Sequence, residues 1–202
     1  MQKTASLRLK EMPSNEKIAS VKYFSSVDEL SAELDLVIVA TNADMRAQVL
    51  KQLLEKKVVK NLILEKVLFQ DLNDYDYFEN LFKEKGIKVW VNHPRREFGF
   101  YDRFIADLRR SESLAYHVQG SNWGLACNGL HFLDHLLQIA GNPNVAVKIE
   151  TADSKYHVEE SKRQGCYEVF GTITGSIGNN SFSLTCNKNK SPHIFFFAYH
   201  FF

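Results

Sequence analysis

Apolar positions in the first ninety residues fall into short unbroken runs separated by stretches with a helical period. Leu36 to Ala40 is a continuous, β-branched run, the pattern of a strand buried on both faces of a parallel sheet. Thr41-Asn42 ends it. From Ala43 onward, Met45, Val49, Leu50, Leu53 and Leu54 recur at helical spacing, and Lys56-Lys57 put cations where the last carbonyls of a helix are exposed. Asn61 to Leu64 is a second apolar run that stops at Glu65-Lys66. Asp71 or Asp74 then caps a helix with Tyr75, Phe78, Leu81 and Phe82 inward, Gly86 supplies a left-handed stop, and Ile87 to Val91 is a third run. Upstream, Val21 to Phe24 predicts a short strand, and Ser25 or Ser26 caps a short helix through Val27, Leu30 and Leu34. Strand, helix, strand, helix, strand with short connections predicts a parallel sheet with right-handed crossovers. This is part of a doubly wound domain.

The pattern changes after the polar loop Asn92 to Arg96, where Pro94 pushes His93 to extended geometry. Domains are therefore expected at 1–93 and 94–202. Phe98 to Arg110 carries Tyr101, Phe104, Ile105 and Leu108 on one helical stripe, and Leu114 to Val118 predicts a strand. Trp123 to Ala140 predicts a helix closed by Gly141. On a wheel, Gly124, Cys127, His131, Asp134, His135 and Gln138 share one arc, with Leu125, Leu130, Phe132, Leu133, Leu136, Leu137 and Ile139 opposite. The expectation is one buried face and one face for chemistry or water. Beyond it, Val145, Val147 and Ile149, then Tyr167 to Ile177, then Phe182, Leu184 and Cys186 alternate as half-buried strands. Gly178 to Ser181 reads as a hairpin turn, so this sheet is expected to be antiparallel. Ile194 to Phe202 sets phenylalanines side by side, a composition that would aggregate as an open edge and must therefore be paired.

Composition narrows the partners. The 25 basic and 24 acidic residues are interspersed, for a net charge of +1, so there is no field to draw nucleic acid or an anionic membrane. No run approaches the roughly 18 apolar residues of a membrane span, and Met1 to Lys10 has no apolar leader core. Three cysteines, Cys127, Cys166 and Cys186, without C-x-x-C spacing argue against a disulfide framework and fit a reducing, cytoplasmic compartment. No G-x-G-x-x-G follows a strand in the first half; Gly171, Gly175 and Gly178 lie in a later strand-like segment. What the first half does offer is Glu65-Lys66 at the carboxyl end of a strand, the edge of an open α/β sheet where ligands bind.

Taken together and in order, Asp35 to Asn42, Glu65-Lys66-Val67, Arg95-Arg96 after a strand, and Asn128-Gly129-Leu130-His131-Phe132-Leu133-Asp134 resemble the glucose-fructose oxidoreductase and inositol dehydrogenase family (Gfo/Idh/MocA). The resemblance covers roughly Val21 to Cys186. It implies an α/β fold: an incomplete Rossmann-like dinucleotide domain followed by an α+β domain with an open, mostly antiparallel sheet. It also implies NAD or NADP as cofactor and hydride transfer to or from a sugar, sugar-nucleotide or polyol hydroxyl. The family's E-K-P motif falls on Glu65-Lys66-Val67 and implies that Lys66 contacts cofactor and substrate and assists proton transfer. Its D-x-G-x-H-x-x-D motif falls on Cys127 to Asp134 and implies His131 as the acid/base partner. Val67 and Asn42 stand where the family has proline, Arg46 where it often has histidine, and Cys127 where it has the first aspartate. Without the first strand, glycine-rich turn and second strand, the chain is expected to be truncated at both ends, to bind cofactor weakly and to be inactive.

Thr41, Asn42, Arg46, Glu65, Lys66 and Arg95 are the expected cofactor contacts, the first two and Glu65-Lys66 serving the nicotinamide half. Trp123, Asn128, His131 and His135 are candidate contacts for a sugar's face and hydroxyls. His131 and His135 stand one turn apart, yet without a third spaced ligand no metal is expected. An apolar open face on the second sheet would favour a homo-oligomer. The alternative to an enzyme is a non-catalytic remnant, or a module for sugar binding or self-association.

Overall fold

The computed structural model describes residues 20–99, 102, 105–106, 108, 112–141, 146–152, 156–161, 165–188 and 193–201. The chain divides into two units, Met1–Asn92 and His93–Phe202.

In the first unit β1 (Glu33–Val39), α1 (Ala43–Lys56), β2 (Val58–Glu65), α2 (Leu72–Glu84) and β3 (Lys88–Asn92) follow in order. The sheet is parallel with strand order β1-β2-β3. Successive right-handed crossovers that advance in one direction put their helices on one side. Leu50, Leu53 and Leu54 of α1 and Phe78 of α2 accordingly join one core with Val39, Val59, Leu62 and Leu64. The opposite face is open: Leu36 is 53%, Ile38 62% and Trp90 52% exposed. The expectation of a first strand buried on both faces is thus corrected, since an unbroken apolar run reports low polarity on both faces and not what covers them.

Local chemistry sets the boundaries. Ser26 and Glu29 form a reciprocal capping box, but it closes only a single 3-10 turn, Val27–Glu29. Leu34 lies in β1, so the expected helix through it does not form. Val21 to Phe24 is not a strand. Asp71, rather than Asp74, caps α2 by accepting the Asn73 N–H at 2.9 Å.

The second unit opens with a 3-10 turn, Pro94–Glu97. Of the expected helix at Phe98 to Arg110, Asp102, Ile105, Ala106 and Leu108 are helical, and Tyr101 and Phe104 lie outside the described residues. β4 (Ser113–Ser121), α3 (Leu125–Ala140), β5 (Val147–Ala152), β6 (His157–Glu160), β7 (Tyr167–Ile177), β8 (Asn180–Asn187) and β9 (His193–Phe201) follow. Val145 also lies outside the described residues. The main sheet runs β5-β7-β8-β4-β9, with β6 on β7. It is antiparallel except for β4 beside β8. The β7–β8 hairpin turns at Gly178-Asn179, with Ile177 opposite Asn180. The phenylalanine-rich end is paired along its length with β4.

One face of this sheet packs on α3 through Tyr116, Val118, Ile177, Phe182, Leu184 and Cys186. Strand alternation turns Ala115, His117, Gln119, Thr172, Thr174, Ser176, Ser181, Ser183 and Thr185 to the other. The expected apolar open face is therefore rich in hydroxyls instead, and Thr172 and Thr185 hydrogen-bond across it at 2.9 Å. Gly175 is fixed by contact: a Cβ there would lie 2.0 Å from the Lys148 carbonyl oxygen and 2.7 Å from the Phe182 ring.

Candidate functional site

Chemistry-bearing groups collect in two places, one in each unit. In the first unit it is the carboxyl end of the parallel sheet. Thr41 and Asn42 follow β1, Glu65 ends β2 with Lys66 next after it, and Asn92 finishes β3. The strands bring these together because their register pairs Val39 with Leu64 and Glu65 with Asn92. The Asn92 amide donates to the Glu65 carboxylate at 2.6 Å, fixing its orientation. Asn42 stands at the N-cap of α1 without a side-chain cap bond, and the buried Thr41 hydroxyl has no hydrogen-bond partner among the described residues. An N-cap amide and a buried hydroxyl at the amino terminus of a helix suit a polar ligand. The peptide bond joining Lys66 to Val67 is cis.

Arg46, expected at the cofactor, lies beneath this edge and not on it. It is 1% exposed, and its guanidinium donates to the carbonyls of Thr41, Val67 and Leu68, the last at 2.9 Å. Burial lowers its proton affinity. The side chain faces inward because α1 presents it on the same stripe as Leu50, Leu53 and Leu54. Arg46 thus ties the loops after β1 and β2 together, a correction to its expected direct role.

In the second unit the polar arc of α3 is covered at Asp134 and His135, where the wheel suggested a wet face, and stays open at Cys127. Asp134 is 8% and His135 2% exposed, whereas Leu130 of the expected apolar arc is exposed. The cause is the 3-10 turn Pro94–Glu97 and its neighbour His93, which pack on α3, while Tyr116 of β4 approaches from the sheet. The Tyr116 hydroxyl meets His135 Nδ1 at 3.1 Å. Burial pushes the His135 imidazole down to about 4, with the Arg95 charge adding to the effect and Asp134 opposing it. Arg95 lies over the Phe132 ring, 4.4 Å from its centre. His93 stands edge-on to His131 with ring centres 5.5 Å apart and an interplanar angle of 84°. Its Nδ1 is 3.9 Å from the Asp134 carboxylate.

Two expected substrate contacts are used elsewhere. Trp123 is a core residue whose indole N–H donates to the Thr185 carbonyl at 2.9 Å and whose ring meets Phe132 edge-on. The Asn128 amide donates to the Trp123 carbonyl. Both are drawn in because Gly124, at φ +79°, bends the chain into α3 without a side-chain cap, and Glu168 of β7 caps from outside, accepting the Ala126 N–H at 3.0 Å. His131 is half-buried and Cys127 exposed. Among the described residues no group of three His, Cys, Asp or Glu side chains is placed to hold a metal ion. Sequence reasoning missed His93, Tyr116, Asn92 and Glu168 as parts of these sites. Only His93, fixed before Pro94 at the close of a strand, left a local signal.

Residues 4–93 match the family model described as an oxidoreductase family with an NAD-binding Rossmann fold, Gfo/Idh/MocA. The likeness of fold extends into the second unit in solved structures. A dehydrogenase (MviM) from Clostridium difficile superposes with a TM-score of 0.60 at 15% identity, covering 90% of this chain and 61% of its own. An oxidoreductase from Bacillus cereus gives 0.60 at 18% identity, covering 91% and 58%. The super-repressor mutant of Gal80p from Saccharomyces cerevisiae gives 0.63 at 12%, covering 98% and 69%. The chain thus spans about three-fifths of the length of the first two. No curated protein sequence matches it. Thr41, Asn42, Glu65 and Lys66 lie at the carboxyl ends of β1 and β2 within the matched residues.

Proposed function

We propose that the chain carries the nicotinamide-side half of an NAD(P)-dependent oxidoreductase site acting on a hydroxyl-bearing carbon of a sugar-like substrate. The observation that supports it is the gathering of Thr41, Asn42, Glu65 and Lys66 at the carboxyl edge of the parallel sheet of a family domain. The donor set fits a nicotinamide riboside: the Thr41 hydroxyl is buried and open to a bond, Asn42 offers an amide, and Glu65 is held as an acceptor. When bound, the nicotinamide supplies the hydride acceptor or donor. Lys66 and His131 are the groups that can hold the hydroxyl proton, since an amine and an imidazole can each accept and return one.

No glycine-rich phosphate turn is present in the sequence, and each charged phosphate contact forgone costs about 1.5–3 kcal/mol. Titration with NAD and with NADP, followed by amide NMR, should shift Thr41-Asn42 and Glu65-Lys66 at high ligand concentration. Unmoved resonances there with both cofactors would overturn the reading. Should a sugar or polyol then reduce NAD or NADP, Lys66→Ala should abolish the reduction and leave the shifts in place.

A non-catalytic binding role is favoured by one observation: an exposed Cys127 stands where the motif places an aspartate. Cofactor-induced shifts without turnover on any of a panel of sugars and polyols would support that role. Self-association through the second sheet belongs to the same proposal. It is supported by β9, whose edge away from β4 carries no strand among the described residues and whose Ile194 and Phe195 are exposed; a monomeric mass by light scattering at all concentrations would exclude it. A cytoplasmic location fits cysteines that no disulfide joins, and no helix among the described residues is long and apolar enough to cross a membrane.

A further inference from the structure

We propose that His93 is a positioning residue that carries the charge of Asp134 to His131 and sets the proton affinity of that imidazole. The inference rests on the reading of His131 as an acid/base group and adds a residue that no motif marks. An aspartate at the position of Cys127 would lie one turn from His131 and would favour its protonated form. With cysteine there, the nearby carboxylate on α3 is Asp134, and it faces His93: Asp134 Oδ2 is 3.9 Å from His93 Nδ1, with both side chains largely withdrawn from solvent. An opposite charge at that distance favours the protonated imidazole. The His93 and His131 rings stand T-shaped to one another, ring centres 5.5 Å apart at 84°. That arrangement suits one charged and one neutral ring, since an aromatic edge is positive and a face negative. Two protonated rings at that separation would repel. A protonated His93 therefore keeps His131 neutral and able to accept a proton.

The groups facing this pair are Asp134, His131 and His135 from α3, Arg95 from the 3-10 turn, and Tyr116 from β4 behind His135. Arg95 bears on His135, whose imidazole is neutral across the physiological range. The His93–Asp134 contact is an ionisable link beside His131.

The test is imidazole NMR titration of the full chain, which requires neither cofactor nor turnover and so separates this proposal from the assignment of the reaction. In His93→Gln, the His131 midpoint should rise by about one pH unit as the neighbouring positive charge is lost. In Asp134→Asn, the His93 midpoint should fall by about one unit as the neighbouring negative charge is lost. His93→Lys restores a positive charge without the ring and should return the His131 midpoint toward the wild-type value, which a merely structural role would not do. Native amide spectra identify which variants remain folded. A His131 midpoint that is the same in wild type, His93→Gln and His93→Lys would overturn the proposal, as would a His93 midpoint unmoved by Asp134→Asn.

Discussion

Mild acid should loosen the second unit through His135 before the carboxylates take part. His135 is 2% exposed and its folded pKa falls from 6.5 to about 4, chiefly through burial. A base whose folded pKa is depressed stays neutral in the fold while the unfolded chain binds a proton, so stability is lost as pH falls. The loss begins near pH 6.5 and is complete below pH 4. At 1.36 kcal/mol per pKa unit the whole window is worth about 3 kcal/mol, of which roughly 2 kcal/mol is gone by pH 5. Against a domain stability of about 5–15 kcal/mol that is a large fraction. Urea melts between pH 7 and 5 should show it, read from Trp123, which is in the core of the second unit, in a Trp90→Phe background that removes the exposed indole of the first. His135→Gln keeps an acceptor for the Tyr116 hydroxyl and removes the titration, so its stability should fall less over the same range by about 2 kcal/mol. Equal slopes in the two proteins would refute the reasoning.

Other consequences follow from packing. Arg46→Met leaves three carbonyls without their charged donor and should lower the melting point of the first unit by the equivalent of roughly 3 kcal/mol; Arg46→Lys, a point charge without the fork, should recover only part of it by calorimetry. Ile38→Ser, on the open face, should change stability by less than about 0.5 kcal/mol, whereas Leu62→Ala on the covered face should cost about 2–5 kcal/mol in the same urea melts. Gly175→Ala drives a methyl group into the Lys148 carbonyl, and hydrogen exchange should show the β5–β7 amides exposed while β4–β8 stays protected.

Much of the fold was legible because it is written in periods. The α1 stripe, the three apolar runs and the Gly141 stop each act within a few residues, and α1 begins at Ala43 and α3 ends at Ala140 as read. What sequence could not supply was which surfaces meet. An apolar run cannot say that both helices lie on one side, which leaves Leu36, Ile38 and Trp90 open. A helical wheel cannot say that a turn forty residues back toward the amino terminus covers its polar arc, burying Asp134 and His135. Arg46 and Trp123 read as ligand groups because their chemistry suits ligands. Tertiary structure gave their donors to carbonyls of Thr41, Val67, Leu68 and Thr185 instead. The reason is physical: a buried donor must be satisfied by whichever acceptor the folded chain brings to it, and those acceptors are remote in sequence. Period and local capping are properties of neighbours along the chain, whereas burial and polar satisfaction belong to neighbours in space.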